Sequence, residues 1–415
     1  MKGRAPPPWI FGLCCIPFGV GAMFCGVALP KLLRDAGVPV EKIAGYAALV
    51  LAPAAWQFLW APIIDLGPRR RSWLIAVSLV GGLAFAAALL LPLPARIDLF
   101  VALSFVGSVF TGLVGSCCGG LMATTLEPAQ RGPASGWYNA GNLGGAALGG
   151  GMVLTLGRLF SARAAAVGVL CAVFLPALAA LWVPEEKRPR RALGQLFRAM
   201  FRDVARTVRR RDGWTGILFC LSPVGSAALL NLFSAVARDY GASDSMTEFI
   251  NGYWGGLITA VGSLFGGYLA SRMRPRTTYL IAGGLTAVSA AAMIYFPLSP
   301  VGYAVGGLAY LFVAGICYAA FSAVVLEAVG QAGDSAATQY TLFTAAGNMA
   351  ISYVAFVDGL GYAANGIAGL LGTDALLNLA GIGLLVLVLS RLRPEGPPQA
   401  APAALASAAR ADIQN

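Results

Sequence analysis

Long apolar runs separated by short polar segments extend along the chain from Trp9 to Arg391. A run of about 20 apolar residues is long enough for a helix to cross the hydrocarbon core of a bilayer. The pattern therefore predicts an all-α membrane protein with twelve transmembrane helices. The predicted spans, numbered 1 to 12 in chain order, are 9–32, 43–65, 73–94, 99–122, 136–157, 162–183, 213–236, 250–271, 277–297, 301–324, 337–358 and 371–391.

A long polar connection, residues 184–212, divides the spans into two groups of six. Apolar residues recur within it at helical spacing with arginines between them, which predicts an amphipathic helix on the membrane surface. Both a regulatory role and a plain linker role stay open for this helix. Its apolar positions are Leu193, Leu196, Phe197, Met200, Phe201 and Val204. The predicted domains are an N-terminal six-helix bundle over 1–183, the cytoplasmic linker over 184–212, a C-terminal bundle over 213–393 and a disordered tail over 394–415.

The second half of the chain repeats two short features of the first half at a spacing of 206 residues. Asp65, at the end of span 2, corresponds to Ser271 at the end of span 8. The segment Ala140-Gly141-Asn142 in span 5 corresponds to Ala346-Gly347-Asn348 in span 11. Parallel repeats of six helices are one way in which the halves of secondary transporters are related. The repeat therefore predicts two pseudo-symmetric bundles.

The composition supports a membrane protein, because the chain is 58% hydrophobic and only 11% charged, whereas soluble domains carry about 25% charged residues. The net charge of +11 does not indicate a nucleic-acid partner, since the basic residues lie mainly in short loops between spans. Lysine and arginine accumulate in the loops on the cytoplasmic side of a membrane. Their distribution predicts a multi-pass protein of the cell inner membrane with both termini in the cytoplasm.

The sequence offers no constellation of residues typical of an enzyme or a metal site. It has no histidine, and its eight cysteines lie inside apolar runs without a CxxC motif. We therefore expect neither a cofactor nor a metal, and we expect no catalytic residues. The alternatives to a transporter are an integral membrane enzyme, such as a lipid-linked transferase, and a lipid flippase without ion coupling.

The segment between spans 2 and 3 carries an acid followed by a run of arginines. In Ala61–Arg71 the acid is Asp65, and Arg69 and Arg70 hold the basic positions. This segment resembles the loop 2–3 signature of the major facilitator superfamily, G-x-x-x-D-R-x-G-R-R. A carboxylate at a helix end can pair with arginines or face the N-terminus of a neighbouring helix. We therefore predict that Asp65, Arg69 and Arg70 form a conformational latch.

A narrower resemblance involves two further stretches. Trp56-Gln57-Phe58-Leu59-Trp60-Ala61-Pro62, followed by Asp65 and the arginines, is similar to a segment of the peptide–acetyl-coenzyme A transporter family. Ala337-Thr338-Gln339-Tyr340-Thr341-Leu342 resembles the ATQYAL segment of that family's muropeptide permeases. The resemblance implies a permease for a muropeptide, a siderophore or an acyl-coenzyme A-like solute. Gln57 departs from the lysine that muropeptide permeases often carry.

Two ladders of small residues lie in spans 5 and 8. Small residues four apart allow helix backbones to approach closely. Because spans 5 and 8 meet across the two halves of a major facilitator, we predict that the ladders form this inter-half contact. Dimerisation is the alternative, although we expect a monomer. The ladder residues are Gly141, Gly145 and Gly149 in span 5, and Gly262 and Gly266 in span 8.

Polar residues inside apolar spans are costly and therefore indicate functional positions. Span 11 carries such residues every four positions, and we predict that they line the substrate pathway together with polar residues of spans 2, 5 and 7. Interhelical hydrogen bonding is the alternative. The candidate substrate-binding residues are Gln57, Tyr138, Asn142, Asn231, Tyr340, Thr344 and Asn348, with Ser352 continuing the span 11 stripe.

Acidic residues near membrane depth are the candidates for ion coupling. Glu327 lies near the inner end of span 10 and Asp358 near the outer end of span 11. The sequence as a whole predicts a secondary active transporter that moves an organic solute by alternating access, with proton coupling as one option. Its expected partners are a small-molecule solute and membrane lipid. The direction of transport and the coupling ion stay open.

Overall fold

The computed structural model describes residues 6–66, 69–185, 193–250, 254–330 and 335–391, and every regular element in these ranges is helical. The predicted tail over 394–415 lies outside the described residues. Span 1 is Trp9–Met23, which continues through a π-helical turn, Phe24–Ala28, into Leu29–Asp35, and span 2 is Val40–Leu51 with Pro53–Leu66. Span 3 is Arg70–Leu89 and span 4 is Ile97–Thr125. Span 5 is Pro128–Ala147, which continues through Leu148–Met152 into Val153–Leu159, and span 6 is Ala162–Ala177 with the 3₁₀ turn Leu178–Trp182.

The second half repeats the architecture, with a break in span 7. Spans 7 to 10 comprise Arg211–Leu221 with the short helix Leu230–Phe233; Asp244–Phe249 with Gly255–Arg272; Pro275–Ile294; and Pro300–Val329. Helix Ala336–Arg391 is interrupted by non-helical backbone at Asn365 and Gly366, which divides it into spans 11 and 12. The fold is therefore that of an all-α membrane protein with twelve spans in two six-helix bundles.

The spans differ in the length and hydropathy of their helices. Within the described ranges, eight helices are long and apolar enough to cross a membrane, and helix 336–391 among them contains two spans. The glycine-rich span 5 and spans 7 and 8 fall outside this set, and residues 251–253 of span 8 lie outside the described ranges. Span 7 is broken after Leu221, where Pro223 lacks a backbone N–H and Gly225 adopts a positive φ of 61°. Broken helices in transporters often border binding sites.

The connection between the bundles contains a helix, Leu193–Arg209. Phe201 on this helix is exposed, and the hydroxyl of the buried Thr207 donates a 3.0 Å hydrogen bond to Oε1 of Gln339 in span 11. The side chains of Leu193, Leu196, Phe197 and Met200 lie outside the described part of the structure. The end of the helix is thus anchored to the first turn of span 11.

The clusters of buried apolar residues show where the two halves of the protein are in contact. At the end of the molecule that carries loop 2–3, called here the 2–3 face, one cluster joins both halves and includes Leu121, Tyr138, Leu326 and Tyr340. Each of the other clusters of described residues lies within one half. One contains only N-half residues, such as Phe24 and Phe85, and the other three contain only C-half residues. The halves are therefore packed together at the 2–3 face.

Candidate transport pathway and conformational latch

Asp65 is buried at the 2–3 face and joins the two halves. Its Oδ2 accepts hydrogen bonds from the backbone N–H of Thr338 at 2.8 Å and from the Thr338 hydroxyl at 2.7 Å. Its Oδ1 accepts from the backbone N–H of Ala337 at 3.3 Å. These residues form the first turn of span 11, where unpaired N–H groups and the helix dipole favour a negative charge. Asp65 therefore caps a helix of the opposite half.

The buried guanidinium of Arg70 holds Asp65 in this position. Its Nη2 lies 2.7 Å and its Nε 3.0 Å from Oδ1 of Asp65. Glu185 in turn accepts the backbone N–H groups of Arg70 at 2.9 Å and Arg71 at 3.0 Å, and so caps span 3. The backbone carbonyl of Arg69 accepts from Trp73 at 3.1 Å, so Arg69 begins span 3. Of the two predicted arginines, it is Arg70 whose side chain contacts Asp65.

Two further side chains of span 5 cross to span 10. The Arg131 guanidinium donates to the backbone carbonyls of Leu326 at 2.9 Å and Gly330 at 3.0 Å. The amide of Asn139 donates to the carbonyl of Tyr318 at 3.1 Å and to the Ser322 hydroxyl at 2.9 Å. Neither residue was among those predicted from the sequence. In the sequence, Arg131 looks like any arginine that sets membrane orientation near the end of a span. Asn139 lies outside the repeated segment, three residues before Asn142.

The glycine ladders correct one prediction. A Cβ added at Gly141, Gly145 or Gly149 would lie within 2.3 Å of a backbone carbonyl oxygen of span 1, which belongs to the same half. A Cβ added at Gly262 or Gly266 would meet the backbone of span 10, at 2.0 Å and 2.7 Å respectively. The prediction that these ladders form the inter-half contact is therefore wrong. They allow close packing inside each bundle.

Spans 5 and 8 do meet across the halves, but span 5 does so through a different face from the one that carries its ladder. A Cβ at Gly132 would lie 2.8 Å from the backbone of Ala270, and one at Gly136 would lie 3.0 Å from the Cα of Gly267. A residue advances by about 100° around an α-helix, so Gly141 lies about 140° around span 5 from Gly136. The inter-half seam, defined here as Gly132, Gly136, Gly267 and Ala270, therefore lies on another face of span 5 than the ladder of that span.

Predicted substrate residues near the 2–3 face are buried between the halves. The rings of Tyr138 in span 5 and Tyr340 in span 11 meet edge to face with centroids 6.1 Å apart. Gln57 in span 2 accepts a long 3.5 Å hydrogen bond from the Ser116 hydroxyl, which itself accepts one from Thr341 at 2.7 Å. These polar contacts join spans 2, 4, 5 and 11. In this conformer they hold the halves together.

The span 11 stripe becomes exposed with distance from the 2–3 face. Tyr340 is buried, Thr344 is half-buried and donates to the Thr341 carbonyl at 3.0 Å, and Asn348 is exposed. Ser352, also exposed, donates to the Asn348 carbonyl at 2.9 Å. Asn142 in span 5 is half-buried. Asn231 falls in helix Leu230–Phe233, and its side chain lies outside the described part of the structure.

The two predicted coupling residues have contrasting surroundings. Glu327 lies 3.0 Å from Nε of Arg276 in an ion pair at the end of span 10. Asp358 in span 11 is fully buried, and neither of its carboxylate oxygens has a hydrogen-bond partner among the described residues. Asp374 in span 12 is also fully buried and accepts from the Tyr310 hydroxyl at 3.1 Å. Asp374 was not predicted from the sequence, although an acid inside an apolar span is a signal of function.

The structure has two six-helix bundles that are packed together at the 2–3 face, with polar contacts buried between them. This arrangement is typical of a multi-pass membrane transporter. The family comparison agrees: the model of the Major Facilitator Superfamily matches residues 9–355. The chain therefore belongs to the Major Facilitator Superfamily, and it is a transporter and not an enzyme.

Known proteins resemble the chain over most of its length. It is 25% identical over 350 residues to an anhydromuropeptide permease of Escherichia coli (strain K12), covering 80% of this chain and 70% of the relative. The structure of the transporter FucP in the outward conformation matches with a TM-score of 0.67 and 16% identity, covering 92% of this chain and 99% of FucP. The human organic anion transporter MFSD10 (TETRAN) matches with a TM-score of 0.66 and 19% identity, covering 91% and 98%.

Proposed function

We propose that this protein is a secondary active transporter that carries a bulky polar solute, such as an anhydromuropeptide, by alternating access. The observation that carries the proposal is the division of the apolar core. One cluster joins the halves at the 2–3 face, and each of the other clusters of described residues lies within one half. Opening of the 2–3 face would require the shared cluster and its hydrogen bonds to separate, while the opposite ends of the bundles close.

The solute would bind between the halves, beyond Tyr138 and Tyr340. Thr344 and Asn348 continue the face of span 11 that contacts the N-half at Tyr340, and their exposure increases along it. Amide and hydroxyl groups can orient a polar solute by donating and accepting hydrogen bonds. Asn142 and Gln57 would contribute from the N-half once the seam opens. The name of the permease that this chain resembles favours the muropeptide over a siderophore or an acyl-coenzyme A-like solute.

The proposed setting is the inner membrane, with both termini and the 2–3 face in the cytoplasm and the protein acting as a monomer. The basic loops support this orientation. The present conformer is then open toward the outside. Residues 1–183 and 213–393 would move as two units, and the helix Leu193–Arg209 would follow the start of span 11 through Thr207.

Uptake into proteoliposomes tests the proposed function. Purified protein would be reconstituted, and uptake of a labelled anhydromuropeptide, a ferric siderophore and acetyl-coenzyme A would be measured with and without an imposed proton gradient. We expect saturable anhydromuropeptide uptake that the gradient increases. Saturable uptake of another probe alone would reject the proposed solute, and uptake that the proton gradient leaves unchanged would reject proton coupling.

A further inference from the structure

Two aspartates lie at matching depth in the antiparallel pair formed by spans 11 and 12. Asp358 precedes the interruption at Gly366 by eight residues, and Asp374 follows it by eight. The two helices pack closely at this level, because a Cβ added at Gly361 would lie 2.2 Å from the Thr373 hydroxyl. The same pair of helices therefore brings the two carboxyl groups to the same depth of the C-half.

The site is sealed within the C-half and contains no described basic group. Both aspartates have 0% exposure, and no described donor reaches either oxygen of Asp358. The titratable group that contacts the pair comes from span 10: the Tyr310 hydroxyl donates to Asp374. Cys317, also buried, lies two turns further along the same helix. The described arginines of the C-half lie at helix ends or in loops: Arg211, Arg238, Arg272, Arg274, Arg276 and Arg391.

Two such carboxylates cannot both remain ionised at this position. Burial of an isolated carboxylate costs several kcal/mol even after relaxation of the protein. A second negative charge nearby raises this cost further, and carboxyl pairs at such sites retain a proton. The single described hydroxyl donor, Tyr310, compensates Asp374 in part and does not contact Asp358. At least one of the two negative charges must therefore be neutralised by a bound cation, and a proton is the cation that needs no additional ligands.

Hydrogen bonds connect the site to the break in span 7. The Asn378 amide donates to the backbone carbonyl of Asp374 at 2.9 Å, and its Oδ1 accepts the backbone N–H of Gly225 at 2.8 Å. Gly225 has a positive φ, which a residue with a side chain would rarely adopt. The Tyr279 hydroxyl donates to the neighbouring carbonyl of Val224. Asn378 therefore joins the helix turn that carries Asp374 to span 7, which is among the helices predicted to line the pathway.

We propose that Asp358 and Asp374 form the proton-binding site of this transporter and hold one proton while the 2–3 face is closed. This inference rests on the proposed function, because it assigns the coupling step of that transport cycle. Binding converts one carboxylate and one proton into a carboxylic acid, and no other bond changes. Release requires water to reach the pair, which movement of span 7 at Gly225 would permit.

Infrared spectroscopy of the full chain in lipid vesicles tests the site without a solute. A protonated carboxyl group absorbs above the amide band, and an ionised one does not. We expect wild type to show this band at neutral pH and to lose it as the pH rises. Asp358→Asn and Asp374→Asn should each abolish or shift it. Asp98→Asn, at an exposed acid in the first turn of span 4, should leave it unchanged.

Three infrared results would overturn the inference: no band in wild type at neutral pH, an unaltered band in both variants, or loss of the band when sodium is added at constant pH. The last would identify a sodium site instead. Anhydromuropeptide uptake separates this result from the proposed function. A band that depends on both aspartates supports the site even if that solute is not taken up. Uptake that still responds to the proton gradient in Asp358→Asn would reject the coupling role while leaving the transport function intact.

Discussion

Replacing Asp65 by asparagine removes one negative charge from the 2–3 face with little change in side-chain shape. Three of the hydrogen bonds that Asp65 accepts come from the first turn of span 11 and would break when this face opens. The bonds from Arg70 lie within the N-half and can persist in both conformers. The substitution should therefore destabilise the closed face selectively.

The expected shift follows from the bonds that cross the halves. A hydrogen bond to a charged group contributes about 1.5–3 kcal/mol, and a charge at a helix N-terminus contributes up to about 2 kcal/mol. Asparagine keeps one acceptor oxygen, so we take a net loss of about 3 kcal/mol for the three bonds together. This free energy corresponds to roughly a hundredfold change in the ratio of closed to open conformers.

Spin labels across the 2–3 face would measure this ratio. Ala129 lies in the first turn of span 5, Arg274 precedes span 9, and both are exposed on opposite halves. Labels would be attached to Ala129→Cys and Arg274→Cys after replacement of the exposed Cys171 by serine. We expect a population with longer distances to appear in Asp65→Asn. The matched control, Asp35→Asn, alters an exposed ion pair with Lys31 and should leave the distances unchanged. Identical distributions in wild type and Asp65→Asn would refute the latch.

The seam, the span 5 amide and the span 11 stripe give three further predictions. Gly136→Leu should prevent closure of the 2–3 face and lengthen the same label distance, whereas Gly145→Leu should lower the melting temperature because its side chain enters span 1; equal effects would contradict the assignment. Asn139→Leu should favour the open face by about 1–3 kcal/mol, since two bonds cross to span 10, and an unchanged distance distribution would count against it. Asn348→Ala should weaken binding of the transported solute without lowering the melting temperature, and the reverse pattern would remove Asn348 from the pathway.

The sequence predicted the helical fold because each span needs an apolar run of a defined length. Asp65 was also predictable, since an acid and an arginine run at a helix end restrict the possible partners. The face of span 5 that contacts the opposite half was not predictable. Spacing by four identifies residues that share a helix face, but it does not identify the neighbour that this face meets. Gly141 and Gly136 both satisfy the pattern, and only the packing of the bundle assigns Gly136 to the seam.

The buried acid pair shows a different limit. Asp374 could have been singled out as an acid within an apolar span. Its proximity to Asp358 depends on the interruption at Gly366, which sets the register between spans 11 and 12. The link through Asn378 depends on the break in span 7. Hydropathy predicts neither the proximity of the two aspartates nor the link to span 7. Both depend on the positions at which the helical backbone is interrupted.

Cross-linking of the 2–3 face during transport tests alternating access most directly. Ala129→Cys and Arg274→Cys would be joined by a cleavable bifunctional thiol reagent in proteoliposomes, with Cys171 replaced by serine. We expect uptake of the transported solute to stop when the link forms and to return when it is cleaved, while either single cysteine treated in the same way remains active. Undiminished uptake by the cross-linked protein would contradict alternating access, because the solute would then cross without opening this face.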